Sequence, residues 1–362
     1  MAADTTGLGT LQHTRAALLG RDAELAALEQ ALADVRESQT RIVTLLGPVG
    51  IGKTRLIQDF ILKQRDPVGA RARKQQPVKV FRGSAYNVQT SYGLFARLLR
   101  GRFGLVEGMD PEQAKAQVRA QVAKVLEDRK VGDVVYFLGQ LLDLPFTESP
   151  LTKAVKDDPQ QAELIRRAVF KAFIEADAAT APLVLVFDDL QHAHDDSLQL
   201  LRYLLEYLSG PVLVLCAARA ELIQRYEDWD RVGEDRHQVV ELSALEDHHA
   251  VEVMRHLLAP CQGEIAKLVD SACAFAGGNP AMLEQMVRIY HDVGVLTEES
   301  ELSGEPVWQV HLDRLSSATL PLTIEDDEFG RIEEREGEVK SRAHRGARRG
   351  GAAPARVRLG DG

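Results

Sequence analysis

The sequence RIVTLLGPVGIGKT, residues 41–54, is the most informative segment of the chain for its fold. Its first six residues, Arg41–Leu46, form an apolar run that is typical of a β-strand buried on both faces. Its last eight have the Walker A pattern GxxxxGK followed by Ser or Thr, and a segment with helical periodicity comes next. In this order of strand, glycine-rich loop and helix, successive backbone N–H groups and the positive end of the helix face one anion. The stretch therefore predicts a phosphate-binding loop.

Each residue type in this loop suits the binding of a nucleotide with magnesium. Glycines let the backbone turn tightly around an anion. The Lys53 ammonium would reach the β- and γ-phosphates, and the Thr54 hydroxyl would be a hard oxygen ligand for Mg²⁺. The alternative is a glycine-rich turn that binds no ligand. The predicted nucleotide-binding residues here are Gly47, Pro48, Val49, Gly50, Ile51, Gly52, Lys53, Thr54 and Arg55.

Four further apolar runs indicate buried strands, and segments with helical periodicity separate them. Alternating strands and helices predict a parallel sheet with right-handed crossovers. We therefore expect an α/β fold, a P-loop NTPase three-layer sandwich with a five-stranded parallel sheet. The four runs lie at residues 78–83, 183–188, 212–217 and 238–242.

The rest of the chain has no long strand-like run. Residues 97–159 have apolar residues at helical spacing and predict a helical insertion, and only helical patterns follow the fifth strand, which predicts an all-helical lid. The charged, Gly- and Ala-rich end of the chain predicts disorder. The expected parts are an N-terminal extension at 1–17, an α/β domain at 18–245, a helical lid with its following segment at 246–324, and a tail at 325–362.

The composition is that of an ordinary globular protein, with 362 residues, 45% of them apolar, and a formal net charge of −10. This acidic balance argues against a general nucleic-acid or membrane-surface binder. The three cysteines, Cys216, Cys261 and Cys273, form no CxxC pair and predict neither a disulfide framework nor a zinc site. No run approaches the ~18 apolar residues of a membrane span. We expect a cytoplasmic protein with no membrane partner and no nucleic-acid partner.

The third run ends in two carboxylates, Asp188 and Asp189, which is the form of a Walker B strand. Asp188, at the end of a buried parallel strand, would emerge beside the phosphate-binding loop and hold Mg²⁺. Asp189 would then orient or deprotonate the attacking water. The alternative is that the pair caps a helix or lies in a solvated loop.

Arg219 comes directly after the fourth run, at the same edge of the predicted sheet. A guanidinium there would touch the γ-phosphate and report its presence or loss. The alternative is a surface arginine. The predicted catalytic residues are Lys53, Asp189 and Arg219.

With these motifs, the chain resembles the AAA-type ATPase domain of the STAND class, over residues 18–323. Residues 18–25, LLGRDAEL, are similar to the first motif of that family, which implies that Gly20 and Arg21 lie against the adenine. The sequence GGNP at 277–280 is similar to the Gly-x-Pro element of the family's helical lid, which implies that Pro280 packs near the base or ribose. Without the family, Gly278 and Pro280 read as the end of one helix and the start of the next.

Two departures from the family limit what the resemblance implies. Relatives commonly have Glu where Asp189 stands and Trp where His192 stands, and the shorter Asp is consistent with slow hydrolysis. Relatives also continue from a segment similar to residues 320–326 into a winged-helix module and an output domain, whereas a charged tail follows here. The sensing and output functions of the family are therefore not carried over.

The first functional hypothesis is a nucleotide-dependent switch in regulation or signal transduction. ATP or ADP with Mg²⁺ would lie between the sheet and the lid, and hydrolysis of ATP to ADP and phosphate would reset the switch. The alternatives are a P-loop phosphotransferase, a nucleotide-binding scaffold without turnover, and an origin-recognition-type DNA ATPase. Self-association or a regulatory protein partner fits the first hypothesis.

Overall fold

A five-stranded parallel sheet forms the centre of the computed structural model, which describes residues 18–65, 76–88, 90–155, 157–300 and 306–315. The strand order is β2-β3-β4-β1-β5, and every neighbouring pair is parallel, which confirms the predicted sheet. The predicted extension at 1–17 and tail at 325–362 lie outside the described residues, as does the segment at 320–326. The strands are β1 Arg41–Leu46, β2 Lys79–Ser84, β3 Leu183–Asp188, β4 Val212–Ala218 and β5 His237–Glu241.

The strand order explains which runs are most apolar. β3 and β4 lie inside the sheet, and every residue of both is buried. β2 and β5 form the edges and are partly exposed, which is why their sequences contain charged residues. Because β4 lies between β1 and β3, the phosphate-binding loop and the acidic pair follow strands that are not neighbours. Both nevertheless emerge at the carboxyl edge of the sheet.

Helices cover both faces of the sheet. In β3 the odd-numbered residues join one hydrophobic cluster, which also contains helices of the insertion, and Val184 and Val186 join the other, with α1 and α2. Two cores on opposite faces make the predicted three-layer sandwich. The helices before the lid are α1 Asp22–Arg36, α2 Lys53–Arg65, α3 Gly93–Phe103, α4 Pro111–Val122, α5 Asp128–Leu142, α6 Pro150–Ala154, α7 Pro159–Ala178, α8 Asp195–Tyr207 and α9 Ala220–Arg225.

The long connection between β2 and β3 is helical in its described residues, from α3 to α7. Phe95 of α3 joins it to the sheet, because its ring lies 5.2 Å from that of Phe170 and 5.3 Å from that of Phe187 in β3. None of the helices in the described part of the chain has the length and apolar character that crossing a bilayer requires.

Three helices, α10 Asp247–Leu257, α11 Ala266–Ala276 and α12 Pro280–Asp292, form the predicted lid after β5. α11 ends at Gly277 in the left-handed conformation, and α12 begins with Asn279 as its cap and Pro280 as its first residue. A small sheet adds to the lid, with β6 Cys261–Gln262, β8 Pro306–Val310 and β7 Leu296–Ser300 in that order, and α13 Leu312–Leu315 follows it. The sequence pattern predicted an all-helical lid and missed this sheet, because its strands are short and mix polar with apolar residues, so that they form no apolar run.

Candidate functional site

The loop between β1 and α2 needs glycine at two positions. Gly50 and Gly52 have φ angles of 75° and 100°, in the region that residues with a Cβ rarely adopt. At Gly50 the space is also closed, because a Cβ would lie 2.7 Å from the Asn279 Oδ1 and 2.8 Å from the Ala281 Cβ of the lid. At Gly52 no atom of the described residues, apart from those of its neighbours in the chain, lies within 4 Å of the Cβ position, so that side of the loop is open. The loop is therefore closed toward the lid at Gly50 and open at Gly52.

Lys53 and Thr54 begin α2 and occupy two different sides of the loop. The Lys53 ammonium folds back over the loop and donates to the carbonyl oxygens of Gly47 at 2.8 Å and Pro48 at 2.9 Å. Thr54 is buried, and its hydroxyl donates to Asp188 Oδ2 at 3.0 Å. The structure thus brings the loop and the end of β3 together. Arg55, the next residue, pairs with Asp59 one turn further along α2 at 2.7 Å.

Asp188 is buried and surrounded by donors. Its Oδ2 accepts from Thr54 and from the guanidinium of Arg82, and its Oδ1 accepts from the backbone N–H of Asp189 at 3.0 Å. A buried carboxylate needs such compensation, because a negative charge without a partner is costly in a protein interior. Arg82 was not predicted as a site residue.

Asp189 follows with a left-handed backbone, at φ 58°, which is uncommon for a residue other than glycine. Its Oδ2 accepts from the Ser84 hydroxyl at 2.9 Å. Burial and then the charge of Asp188 raise the pKa of Asp189, while the Ser84 hydrogen bond and the charges of Arg82 and His192 lower it. Asp189 is therefore a carboxylate with increased affinity for a proton, held at a fixed position beside Asp188.

Arg82 and Ser84 both belong to β2 and were missed by sequence reasoning. They lie two residues apart, so they share a face of the strand. The register of β2 with β3 places Ser84 opposite Asp188. The available signal was the polar residues at the end of an otherwise apolar run, but the sequence does not show which strand is the neighbour of β3.

Arg219 lies directly after β4, at the same edge of the sheet, and is partly exposed. Its backbone N–H donates to the Gln191 side chain at 3.2 Å, and Gln191 belongs to the short turn of helix after Asp189. The position is the one predicted, whereas the role of its guanidinium stays a prediction.

Gly20 and Arg21 lie at the boundary between the loop and the lid. Arg21 is buried, and its guanidinium donates to the carbonyl oxygens of Ile51 at 3.2 Å and Ser243 at 2.6 Å. Gly20 has a φ of 65°, and a Cβ there would lie 2.6 Å from the His249 Nδ1 of α10. Pro280 also lies near the loop, because its neighbours Asn279 and Ala281 contact loop carbonyl oxygens. The expected contacts of Gly20, Arg21 and Pro280 with adenine or ribose stay predictions.

The sequence matches the family described as the AAA ATPase domain over residues 17–215, more than half of the chain. The chain belongs to this family. This AAA ATPase domain has no match among curated proteins.

The AAA ATPase domain described here is also similar to solved structures. The Aeropyrum pernix ORC2 protein, solved as ADPNP-ADP complexes, has a TM-score of 0.49 and 14% identity, over 86% of this chain and 70% of that one. Drosophila ORC bound to DNA has a TM-score of 0.47 and 13% identity, over 90% and 69%. Aeropyrum pernix ORC1 in complex with DNA has a TM-score of 0.48 and 14% identity, over 85% and 67%. At these values the likeness says nothing of the ligands or partners of the present chain.

Proposed function

We propose that this chain is an ATP-binding domain that hydrolyses ATP slowly and acts as a nucleotide-dependent switch in regulation, as expected for the STAND class. The observation that carries the proposal is the contact between the Thr54 hydroxyl and the Asp188 carboxylate, 3.0 Å apart. It joins the start of the helix after the loop to the end of β3, so a metal-bound triphosphate would meet both at one point.

The residues present suit ATP with Mg²⁺. A hydroxyl and a carboxylate are the hard oxygen ligands that Mg²⁺ prefers, and they would be Thr54 and Asp188, the latter through water. The open side of the loop at Gly52 leaves room for phosphate oxygens at its N–H groups. The Lys53 ammonium would exchange its present carbonyl partners for phosphate oxygens. When bound, Mg-ATP supplies the phosphoryl group that water attacks.

Asp189 suits the role of a base or orienting group for that water. Its proton affinity is raised by burial and by Asp188, and Ser84 fixes one of its oxygens. A carboxylate one methylene shorter than Glu reaches less far, which supports slow turnover. The same shortness favours a second candidate function, a scaffold that binds nucleotide without turnover.

The test measures ADP and ATP affinity and phosphate release for the wild type, Lys53→Ala and Asp189→Asn. Lys53→Ala removes the charge nearest the phosphates, and we expect at least about a tenfold loss of affinity. Asp189→Asn should keep nucleotide affinity and lose phosphate release, since an amide cannot accept the proton from water. Lys63→Ala, which removes a lysine of the same helix that lies outside the loop and pairs with Glu29, is the matched control and should behave like the wild type in affinity.

The outcomes separate the candidate functions. Unchanged affinity in Lys53→Ala would contradict nucleotide binding at this loop. Normal binding with equal background phosphate release in all variants would favour the scaffold. Phosphate found on an organic acceptor would favour a phosphotransferase. A cytoplasmic location, self-association and a regulatory protein partner belong to the same proposal.

A further inference from the structure

Three consecutive carbonyl groups of the phosphate-binding loop accept hydrogen bonds from residues outside the loop. The Asn279 side-chain amide donates to Val49 O at 2.9 Å, the backbone N–H of Ala281 donates to Gly50 O at 3.2 Å, and Arg21 donates to Ile51 O at 3.2 Å. None of these donors belongs to the loop. Two of them belong to the start of α12 in the lid.

Carbonyl groups matter in a loop that binds an anion through N–H groups. Each peptide unit has its N–H and C=O on opposite sides, so a carbonyl that turns inward removes an N–H from the ligand and adds a repulsive oxygen. Donors that hold the carbonyls on the far side therefore fix the N–H groups in the orientation that phosphate needs. Donors arranged before the ligand arrives also save the cost of ordering the loop on binding.

Asn279 is suited to this position because its side chain makes two kinds of contact at once. Its Oδ1 accepts from the N–H groups of Ala281 at 3.1 Å and Met282 at 3.4 Å, and so caps α12. This leaves the NH₂ group free to donate to Val49. Asp or Ser can cap a helix equally well. Asp has no donor, and Ser is too short to span from the cap to the loop, so the contact with Val49 needs the amide.

The fit between Asn279 and the loop is close. A Cβ on Gly50 would lie 2.7 Å from Asn279 Oδ1, so the loop and the cap could not approach in this way with any larger residue. A second contact fixes the chain just before the cap, because Leu245 donates its N–H to Gly278 O at 2.8 Å. The start of α12 is thus held both by the loop and by the segment after β5.

We propose that Asn279 is a positioning residue for phosphate binding, which holds the Val49 carbonyl away from the ligand and makes the docked lid and the binding-competent loop one state. The inference rests on the proposed function, because it assumes that the loop binds nucleotide phosphates. Release of the lid then loosens the loop, and release of the phosphates loosens the lid, since linkage between two sites is reciprocal.

The test uses the full chain with Asn279→Ser, which keeps a neutral helix cap and removes the donor to Val49. ADP affinity should fall about 3- to 10-fold, the loss expected for one neutral hydrogen bond. Adenosine, which has no phosphate, is the second probe, and its affinity should not change. Amide hydrogen exchange of a peptide covering residues 47–54 should be faster in the variant without nucleotide. Asp158→Ser, an exchange at the cap of α7, is the matched control for a cap substitution.

The results distinguish this inference from the proposed function. One outcome would overturn the role of Asn279 and keep nucleotide binding at the loop. In it, Asn279→Ser has the ADP affinity and the loop hydrogen exchange of the wild type, while Lys53→Ala loses ADP binding. Equal losses for ADP and adenosine would also overturn it, because they would show a general effect on the lid. Wild-type ADP affinity in Lys53→Ala would instead overturn the proposed function. Asn279→Asp, which keeps the cap and has no donor, should reproduce the faster loop exchange.

Discussion

Ser84 and Arg82 lie two residues apart on β2, and each holds one of the two carboxylates at the end of β3. The Ser84 hydroxyl donates to Asp189, and the Arg82 guanidinium forms an ion pair with Asp188. The two acids have different surroundings as a result. Asp188 is compensated by a cation and a hydroxyl, whereas burial and its charged neighbour increase the proton affinity of Asp189. At this scale the structure gives two adjacent carboxylates different surroundings, which suits the proposed roles of a metal ligand for Asp188 and a proton acceptor for Asp189.

Ser84→Ala should move the acid limb of the pH profile of phosphate release to higher pH. The Ser84 hydrogen bond lowers the pKa of Asp189, so its removal raises that pKa. A base works only when ionised, and a higher pKa means that activity is lost at a higher pH as the solution is acidified. The measurement is phosphate release against pH at saturating ATP. Ser209→Ala, which removes a hydroxyl that donates to Glu175, is the matched control and should leave the limb in place.

Among the elements, the sheet could be predicted from the apolar runs, because strands buried on both faces of a parallel sheet consist almost entirely of apolar residues. β3 and β4 were predicted within a residue, and β2 and β5 were each displaced by one residue at both ends, since edge strands mix polar and apolar residues. The loop was predicted from the Walker A motif, and its proximity to Asp188 from the rule that the carboxyl ends of parallel strands meet at one edge. The roles of Arg82, Ser84 and Asn279 could not be predicted, because the sequence does not show that β2 is the neighbour of β3 or that the cap of α12 faces the loop.

The edge strand β5 joins β1 through a partly buried polar cluster as well as through the sheet. His237 Nε2 lies 2.8 Å from the Thr44 hydroxyl, and His237 Nδ1 lies 2.9 Å from Val232 O. The Trp229 indole N–H donates to the same Thr44 hydroxyl at 3.0 Å. Because the Val232 carbonyl oxygen can only accept, Nδ1 carries the proton of the neutral imidazole, and Nε2 then accepts from the Thr44 hydroxyl. A protonated imidazole has a proton on both nitrogens and cannot accept this bond.

Stability should consequently fall as the pH drops below the ordinary pKa of histidine. Burial lowers the pKa of His237 in the folded chain below its ordinary value of 6.5. As the pH falls, His237 is therefore protonated in the unfolded chain before it is protonated in the folded chain. The contribution of neutral His237 to the free energy of unfolding is fully present above pH 6.5. It is lost as the pH falls through the lowered pKa of the folded chain. Melting temperatures of the wild type and His237→Gln, compared between about pH 8 and about pH 5.5, measure this contribution, because all other groups act in both proteins. The wild type should lose more stability than the variant. An equal loss in both would show that His237 does not titrate with unfolding.

In the whole molecule, the sheet and the lid belong to one compact unit, and several backbone groups join them. Gly20 approaches His249 of α10, Leu245 bonds to Gly278, and the start of α12 bonds to the loop. These contacts surround the phosphate-binding loop rather than the far side of the sheet. The formal charge of −10 argues against a general nucleic-acid partner, and the expectation that the chain has none stays a prediction.

Nucleotide should therefore stabilise the lid more than it stabilises the helical insertion. A ligand that binds more tightly to the loop with its carbonyl groups turned away from the ligand also favours the docked position of α12. The shift in the equilibrium between the docked and the undocked lid cannot exceed the difference in the ligand's binding free energy for these two states. Amide hydrogen exchange of the wild type, measured without nucleotide, with ADP and with a slowly hydrolysed ATP analogue, tests this. Protection should increase over residues 279–292 and change little over α5, which serves as the internal control. A difference between ADP and the analogue in α12 would make the lid a sensor of the γ-phosphate. Equal protection in α12 and α5 would mean that the lid does not follow the nucleotide, and a switch built on lid position would have to be abandoned.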